Sequence, residues 1–412
     1  MNQHRLFVLL AATAAAAAQA ETSPYYIGAS QSFSHSSNLL RLGDDEPVPA
    51  GLSKADTVSS TSLLAGLDQP IGRQRLYGNV TLRANRLSNN DIYNNESYAL
   101  TAGLDWATVE HISGSLKATA NRNLAAFNAD EIGLLQKKNL ETTQQVDAAF
   151  RIGVVTEWTA EAMFGGRSVD YSADEFQSRE FRQDSASLGL RWRPSDATTL
   201  GLAVRQTKGR YPKFRSLPDG SFEDDRFDSR NVDLTGTIAP SAISTFSTRL
   251  SFGKTDYEVA TQRSYSGVTG LLRWEWKPTG KLSFDTRLTR DPSQSSYFFD
   301  SRVSDSTVEY SRITTALSMR ADYAVSAKIG LNSTLAYSRR SLARTVPTTS
   351  GSEELTGQDR STRLAFGATW VPTRSLQFGC DLAQDRRSTN STELSSAYSD
   401  TTVSCFGQVT LQ

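Results

Sequence analysis

Along most of the chain, apolar and polar residues alternate one by one. Between Val268 and Trp276, the positions Val268, Gly270, Leu272, Trp274 and Trp276 fall on one face and Thr269, Leu271, Arg273 and Glu275 on the other. A period of two with a charged opposite face marks a β-strand lying between two different environments. The pattern returns at Ala186–Trp192, Leu282–Leu288 and Leu364–Trp370. It predicts strands near 24–35, 55–68, 73–87, 95–108, 111–123, 141–153, 156–170, 180–193, 198–211, 228–239, 242–257, 264–277, 281–291, 306–323, 327–340, 358–371, 375–388 and 398–411. Eighteen strands are expected, with sixteen as the alternative because the first strand and its loop are weakly patterned.

The predicted connections alternate in length. Three tight turns share one form: Trp192-Arg193-Pro194-Ser195, Trp276-Lys277-Pro278-Thr279 and Trp370-Val371-Pro372-Thr373. Proline cannot donate to a strand ladder and ends the pairing. An outward tryptophan just before it suits the aromatic girdle at a membrane interface. Trp106, Trp192, Trp276 and Trp370 are the girdle candidates. The tight turns fall after even-numbered strands, and the longer, polar loops after odd-numbered ones, such as Leu39–Lys54, Ala125–Leu140, Pro212–Phe227 and Ala343–Gly357. Short turns on one side and long loops on the other are the arrangement of an outer-membrane β-barrel. An all-β transmembrane antiparallel barrel over residues 21–412 is therefore expected. Residues 1–20 are expected to be a cleaved signal peptide, with Arg5 ahead of the apolar run Leu6–Ala18 and Ala18-Gln19-Ala20 as the cleavage site.

Composition alone does not reveal a barrel, because lipid-facing and lumen-facing residues average out. The chain has 412 residues and a formal net charge of zero, which argues against nucleic acid as a partner. The apolar outer face makes outer-membrane lipid the expected partner. Parity places Arg83, Arg151, Arg191, Arg205, Arg249, Arg273, Arg287, Arg312, Arg320 and Arg363 on the lumen face, together with Asp105, Asp147, Glu161, Asp233, Glu275, Asp285, Asp322 and Asp381. A mutually neutralising polar lining is the expectation, and a guanidinium track for a polyanion the alternative. Tyr171, Tyr211, Tyr257, Tyr265 and Tyr310 lie toward the outer ends of their strands. Strict parity turns these mouth aromatics inward. A β-bulge would turn them outward into a second girdle, which is the favoured expectation.

Cys380 and Cys405 fall in outward series on the last two strands. If that hairpin turns near Thr392–Glu393 they face each other directly, and a stapling disulfide is expected. Support for catalysis is slight. Histidine occurs at positions 4, 35 and 111 only, and nothing near His35 supplies a carboxylate or an oxyanion hole. No zinc-ligand spacing or phosphate loop is present, so no cofactor and no metal are expected. The acidic run Asp219–Asp225 is taken as a solvated loop, with divalent-cation binding as the alternative.

The segment Phe33–Asp45, with Ser37-Asn38-Leu39-Leu40-Arg41-Leu42, the repeated Trp-x-Pro hairpins and the ending Cys405-Phe406-Gly407-Gln408-Val409-Thr410-Leu411-Gln412 resemble the EpsL-like proteins of exopolysaccharide operons, within the beta-barrel porin-2 group. The resemblance implies an outer-membrane channel taking part in exopolysaccharide export, with polysaccharide and periplasmic export machinery as partners. The alternatives are a general diffusion porin for small solutes and an outer-leaflet lipid-modifying enzyme.

Overall fold

The computed structural model describes residues 23–127, 134–153, 157–291, 313–348 and 351–412. Its strands are β1 (Tyr25–Ser36), β2 (Asp56–Ile71), β3 (Gln74–Leu87), β4 (Asn95–Ala107), β5 (Ile112–Leu124), β6 (Leu140–Ile152), β7 (Trp158–Tyr171), β8 (Phe181–Ser195) and β9 (Thr198–Ser216). They continue as β10 (Phe222–Ser241), β11 (Ser244–Tyr257), β12 (Tyr265–Trp276), β13 (Leu282–Asp291), β14 (Ile313–Ala324), β15 (Ile329–Thr348), β16 (Gly351–Thr373), β17 (Leu376–Thr389) and β18 (Tyr398–Leu411). Each strand pairs antiparallel with its sequence neighbours, and β1 pairs with β18, which closes an 18-stranded barrel. Closure gives each described strand a partner on both sides, so the backbone polar groups of the membrane-spanning wall bond to one another rather than to water. The sixteen-strand alternative is set aside.

Strand boundaries follow the alternation to within a few residues, with two departures. Pro212–Phe227 and Ala343–Gly357 are not loops over most of their length. β9 and β10 keep pairing up to Ser216 and Phe222, and β15 and β16 up to Thr348 and Gly351. Polar residues end a strand only where they face lipid; above the membrane a polar hairpin stays paired. β14, expected from residue 306, is described from Ile313 onward; 306–312 lie outside the described residues, as does the signal peptide.

The connections after even-numbered strands are all short, and both the start of β1 and the end of β18 lie at that end. All six tryptophans of the chain are there too. Trp158 stacks on Trp192 across β7 and β8, with ring centroids 5.9 Å apart. Phe246, Trp274, Trp276 and Phe284 form a continuous stack over β11 to β13, and Trp370 stacks on Phe378. Such rings belong at the lipid–water interface, and the uniformly short connections mark this end as the periplasmic one. Trp158 and Trp274 join the four expected tryptophans. The signal for Trp158 was available only from register, which sets it opposite Trp192.

Between the girdle and the outer loops, the barrel is apolar outside and polar inside. Leu188, Val204, Val232 and Phe252 form the last apolar row on the outer surface of β8 to β11. The next row up is Ala186, Gln206, Arg230 and Lys254. Above it the faces exchange character: Phe181, Tyr211, Phe227 and Tyr257 on the same strands are buried inside. This exchange marks the outer membrane boundary, because above it water bathes the outside and apolar side chains must hide within.

Candidate functional site: the lumen and its outer mouth

Pairing dominates the charged wall of the lumen. Arg151 and Arg191 both reach Glu161, at 2.5 and 3.0 Å. Arg273 and Arg287 share Asp285, at 2.5 and 2.9 Å. Arg320 meets Asp322 at 2.8 Å and Arg363 meets Asp385 at 2.6 Å. Arg205 pairs with Asp233 and Arg249 with Asp291, both at 2.8 Å. Most of these partners sit two residues away along a strand or diagonally across a pair, where inward side chains come together. Arg83 differs: its Nε donates to the Ser62 hydroxyl at 3.3 Å, with no carboxylate partner among the described residues. Arg312 lies outside the described residues. Two further arginines of inward parity, outside the expected set, join the wall: Arg75 bound to Asp68 near the periplasmic rim and Arg340 bound to Asp359 near the outer end.

The pairs differ in their access to water. Arg320 and Arg363 remain 53% and 51% exposed, whereas Arg205 is 2% exposed. The lumen is open to solvent alongside the former and packed at the level of the latter. The wall formed by β18, β1 and β2 carries almost no charge within the span. Ser30, Ser32, Ser34, Ser60, Ser62, Thr402 and Ser404 line it. A hydroxyl-bearing wall thus adjoins a wall of neutralised ion pairs. In the charged wall, a recess of about 230 Å³ is lined by Arg287, Arg363, Ser318, Ser338 and Ser361 together with apolar residues such as Leu317 and Tyr337.

Two apolar clusters thicken the outer mouth from inside. One joins Val169, Phe181, Tyr211, Phe227, Tyr257 and Ala260, with Tyr171 packed against it. The expected outer girdle of tyrosines is therefore corrected for Tyr171, Tyr211 and Tyr257. No bulge reverses their parity, because they stand above the membrane boundary where an outward ring would face water. Tyr265 also keeps its inward parity, with its hydroxyl donating to the Val268 carbonyl at 3.0 Å. Tyr310 lies outside the described residues. Phe227 lies so close across Gly209 that a Cβ there would sit 2.2 Å from the ring, which requires glycine. The second cluster joins Leu40 and Leu42 to Leu87 and Tyr93. The segment after β1 is fastened by Asn38, whose amide donates to the Leu42 and Ser399 carbonyls and accepts from the Leu42 N–H. Asp400 accepts from the Ser36 and Ser37 hydroxyls and the Asn38 N–H.

The acidic run is engaged rather than freely solvated. Asp219 accepts from Ser221, Asp224 pairs with Arg226, and Glu223 pairs with Arg215. Asp225 is fully buried and accepts the Val259 and Ala260 N–H groups, which draws the loop after β11 into the mouth. Burial pushes its carboxyl above the usual carboxylate range, against the opposing pull of those N–H groups and Arg263. His35 points outward, with Nδ1 2.9 Å from the Thr57 hydroxyl. Cys380 lies opposite Cys405, joined to it by a disulfide on the lipid-facing surface.

The sequence matches no protein-family model and no curated protein. Among solved structures, the chain is similar to OpdK of Pseudomonas aeruginosa with vanillate, at 12% identity and a TM-score of 0.47 over 94% of this chain and 99% of that one. It is similar to OccK2 (OpdF) of the same organism in complex with glucuronate, at 10% identity and a TM-score of 0.46 over 94% and 98%. It is similar to the FrpB iron transporter of Neisseria meningitidis, at 9% identity and a TM-score of 0.48 over 90% and 62%. The architecture rests on the strand pairings, not on these likenesses. A closed antiparallel barrel with an apolar outer band and an interfacial girdle is built for the Gram-negative outer membrane, and this chain is such a barrel.

Proposed function

We propose that the barrel is a passive outer-membrane channel for small polar solutes. The observation that carries this reading is the lining: mostly polar, its charges largely neutralised in pairs, and solvent-exposed beside Arg320 and Arg363. A solute passing such a wall exchanges water for serine hydroxyls and for guanidinium donors already charge-balanced by carboxylates. It is recognised by hydrogen bonds rather than by net charge. The recess beside Arg287 and Arg363 has a mostly apolar lining with a few polar groups, which suits a small molecule with an apolar body and a polar or acidic end. A polyanion track is less favoured, because most of these arginines already hold a carboxylate. Export of exopolysaccharide rests on the sequence resemblance alone, and the two apolar clusters narrowing the mouth weigh against a long hydrated polymer.

The test is the ion conductance of the refolded protein in a planar bilayer. Small hydroxylated acids and, separately, the host's own exopolysaccharide are added as blockers. Open channels perturbed by the small solutes and indifferent to the polymer support the proposal. Block by the host polymer but not by an unrelated one restores the export reading. Absence of conductance rules out an open channel.

A further inference from the structure

We infer that the outer surface of β8 to β10, just above the membrane boundary, is a binding site for the phosphate groups of an outer-leaflet glycolipid. In the upper part of these strands Arg182 pairs in register with Arg210, and Arg210 with Arg226. All three side chains are exposed and share the outward face. Directly opposed like charges destabilise a strand pair, so a row of three arginines calls for an anion. The protein places carboxylates nearby, Glu258 beside Arg226 and Asp184 one row below Arg182, but few of them close on the row. Arg226 has Asp224 at 2.9 Å, but neither Arg182 nor Arg210 reaches a carboxylate among the described residues. The acids one row lower are spoken for in part: Asp228 pairs with Arg230 at 3.3 Å and Asp256 with Lys254 at 2.7 Å. Lys208 stands in that row between Asp184 and Asp228.

Height identifies the ligand. The arginine row is three rows above the last apolar row of Leu188, Val204 and Val232 on the same face. At about 3.3 Å per residue along a strand tilted by roughly 45°, that places the guanidinium groups on the order of 10–15 Å above it. Long arginine side chains reach down along the barrel toward the headgroup layer. Acyl chains pack on the apolar rows below, and phosphates of the same molecule meet the guanidinium groups above. Planar guanidinium binds phosphate bidentately, and adjacent arginines converge on one such group. The site is on the outside of the wall and is independent of what passes through the lumen.

The experiment compares wild type with the Arg182→Gln/Arg210→Gln variant, both reconstituted in vesicles containing bisphosphorylated lipid A or its dephosphorylated form. Retention of labelled lipid on the purified barrel and thermal stability are both read. Wild type should retain the bisphosphorylated form preferentially, and the variant should bind it about tenfold more weakly. Arg86→Gln, which removes an exterior arginine from β3, should change nothing. Channel conductance and the heat-resistant electrophoretic band should persist in all variants, since these side chains point away from the lumen. Equal retention of both lipids by wild type, or undiminished retention by the double variant, overturns the inference. Full competition by inorganic phosphate overturns the lipid assignment and leaves a simple anion site.

Discussion

Arg205 on β9 and Asp233 on β10 form a 2.8 Å ion pair that is almost wholly buried, with the side chains 2% and 0% exposed. The geometry is bidentate, with Nε and Nη2 donating to the two carboxylate oxygens at 2.8 and 3.2 Å. Asp233→Ala leaves a buried guanidinium without its counter-charge. The expected loss is about 3–5 kcal/mol of unfolding free energy, read by urea titration of the refolded barrel. Replacing both residues, Arg205→Met with Asp233→Leu, is expected to recover most of it. A double variant as unstable as Asp233→Ala would contradict this account.

The exchange of polarity on β9 locates the membrane boundary between Val204 and Gln206. Leu202→Arg is expected to cost about 2–4 kcal/mol and Gln206→Arg about 0–1 kcal/mol, both read by reversible folding into lipid vesicles. Equal costs would mean that the boundary lies elsewhere.

The disulfide between Cys380 and Cys405 spans 25 residues of sequence in the hairpin next to the closing seam. Constraint of the unfolded chain contributes up to about 3.5 kcal/mol for a loop of that size. Cys380→Ser/Cys405→Ser is therefore expected to fold into a complete barrel with lower resistance to urea. Failure of this variant to yield any heat-resistant barrel would assign the bridge a role in assembly rather than stability.

Asp225 governs how the loop after β11 responds to pH. Its folded pKa is raised by burial. The stability linked to that shift is fully present below the unfolded pKa and is lost as pH rises through the folded one. Mild acidification should therefore hold the loop rather than release it. Hydrogen exchange at the Val259 and Ala260 amides, corrected for intrinsic rates, is expected to show protection maintained as pH falls into the carboxylate range. Asp225→Ala should abolish that protection at every pH. Faster corrected exchange in acid for the unaltered chain would reverse the sign of the argument.

What the sequence determined by itself is whatever follows from a period of two. Trp274, Leu272 and Val268 on one face with Arg273 and Glu275 on the other reveal a strand between lipid and water. The spacing of such segments also yields the strand count, the alternation of turns and the direct opposition of Cys380 and Cys405. Tertiary structure decided what parity cannot reach. Parity puts Tyr211 and Tyr257 on the lumen side, but only the position of the membrane boundary decides whether a ring there lines a wet channel or packs into an apolar cluster. Register, a long-range property, set Trp158 on Trp192, paired Arg205 with Asp233, and brought Arg182, Arg210 and Arg226 into one row. The folding of Leu40, Leu42 and Ala260 into the mouth depends on contacts between segments far apart in the chain, as between Asn38 and Ser399, which no local pattern encodes.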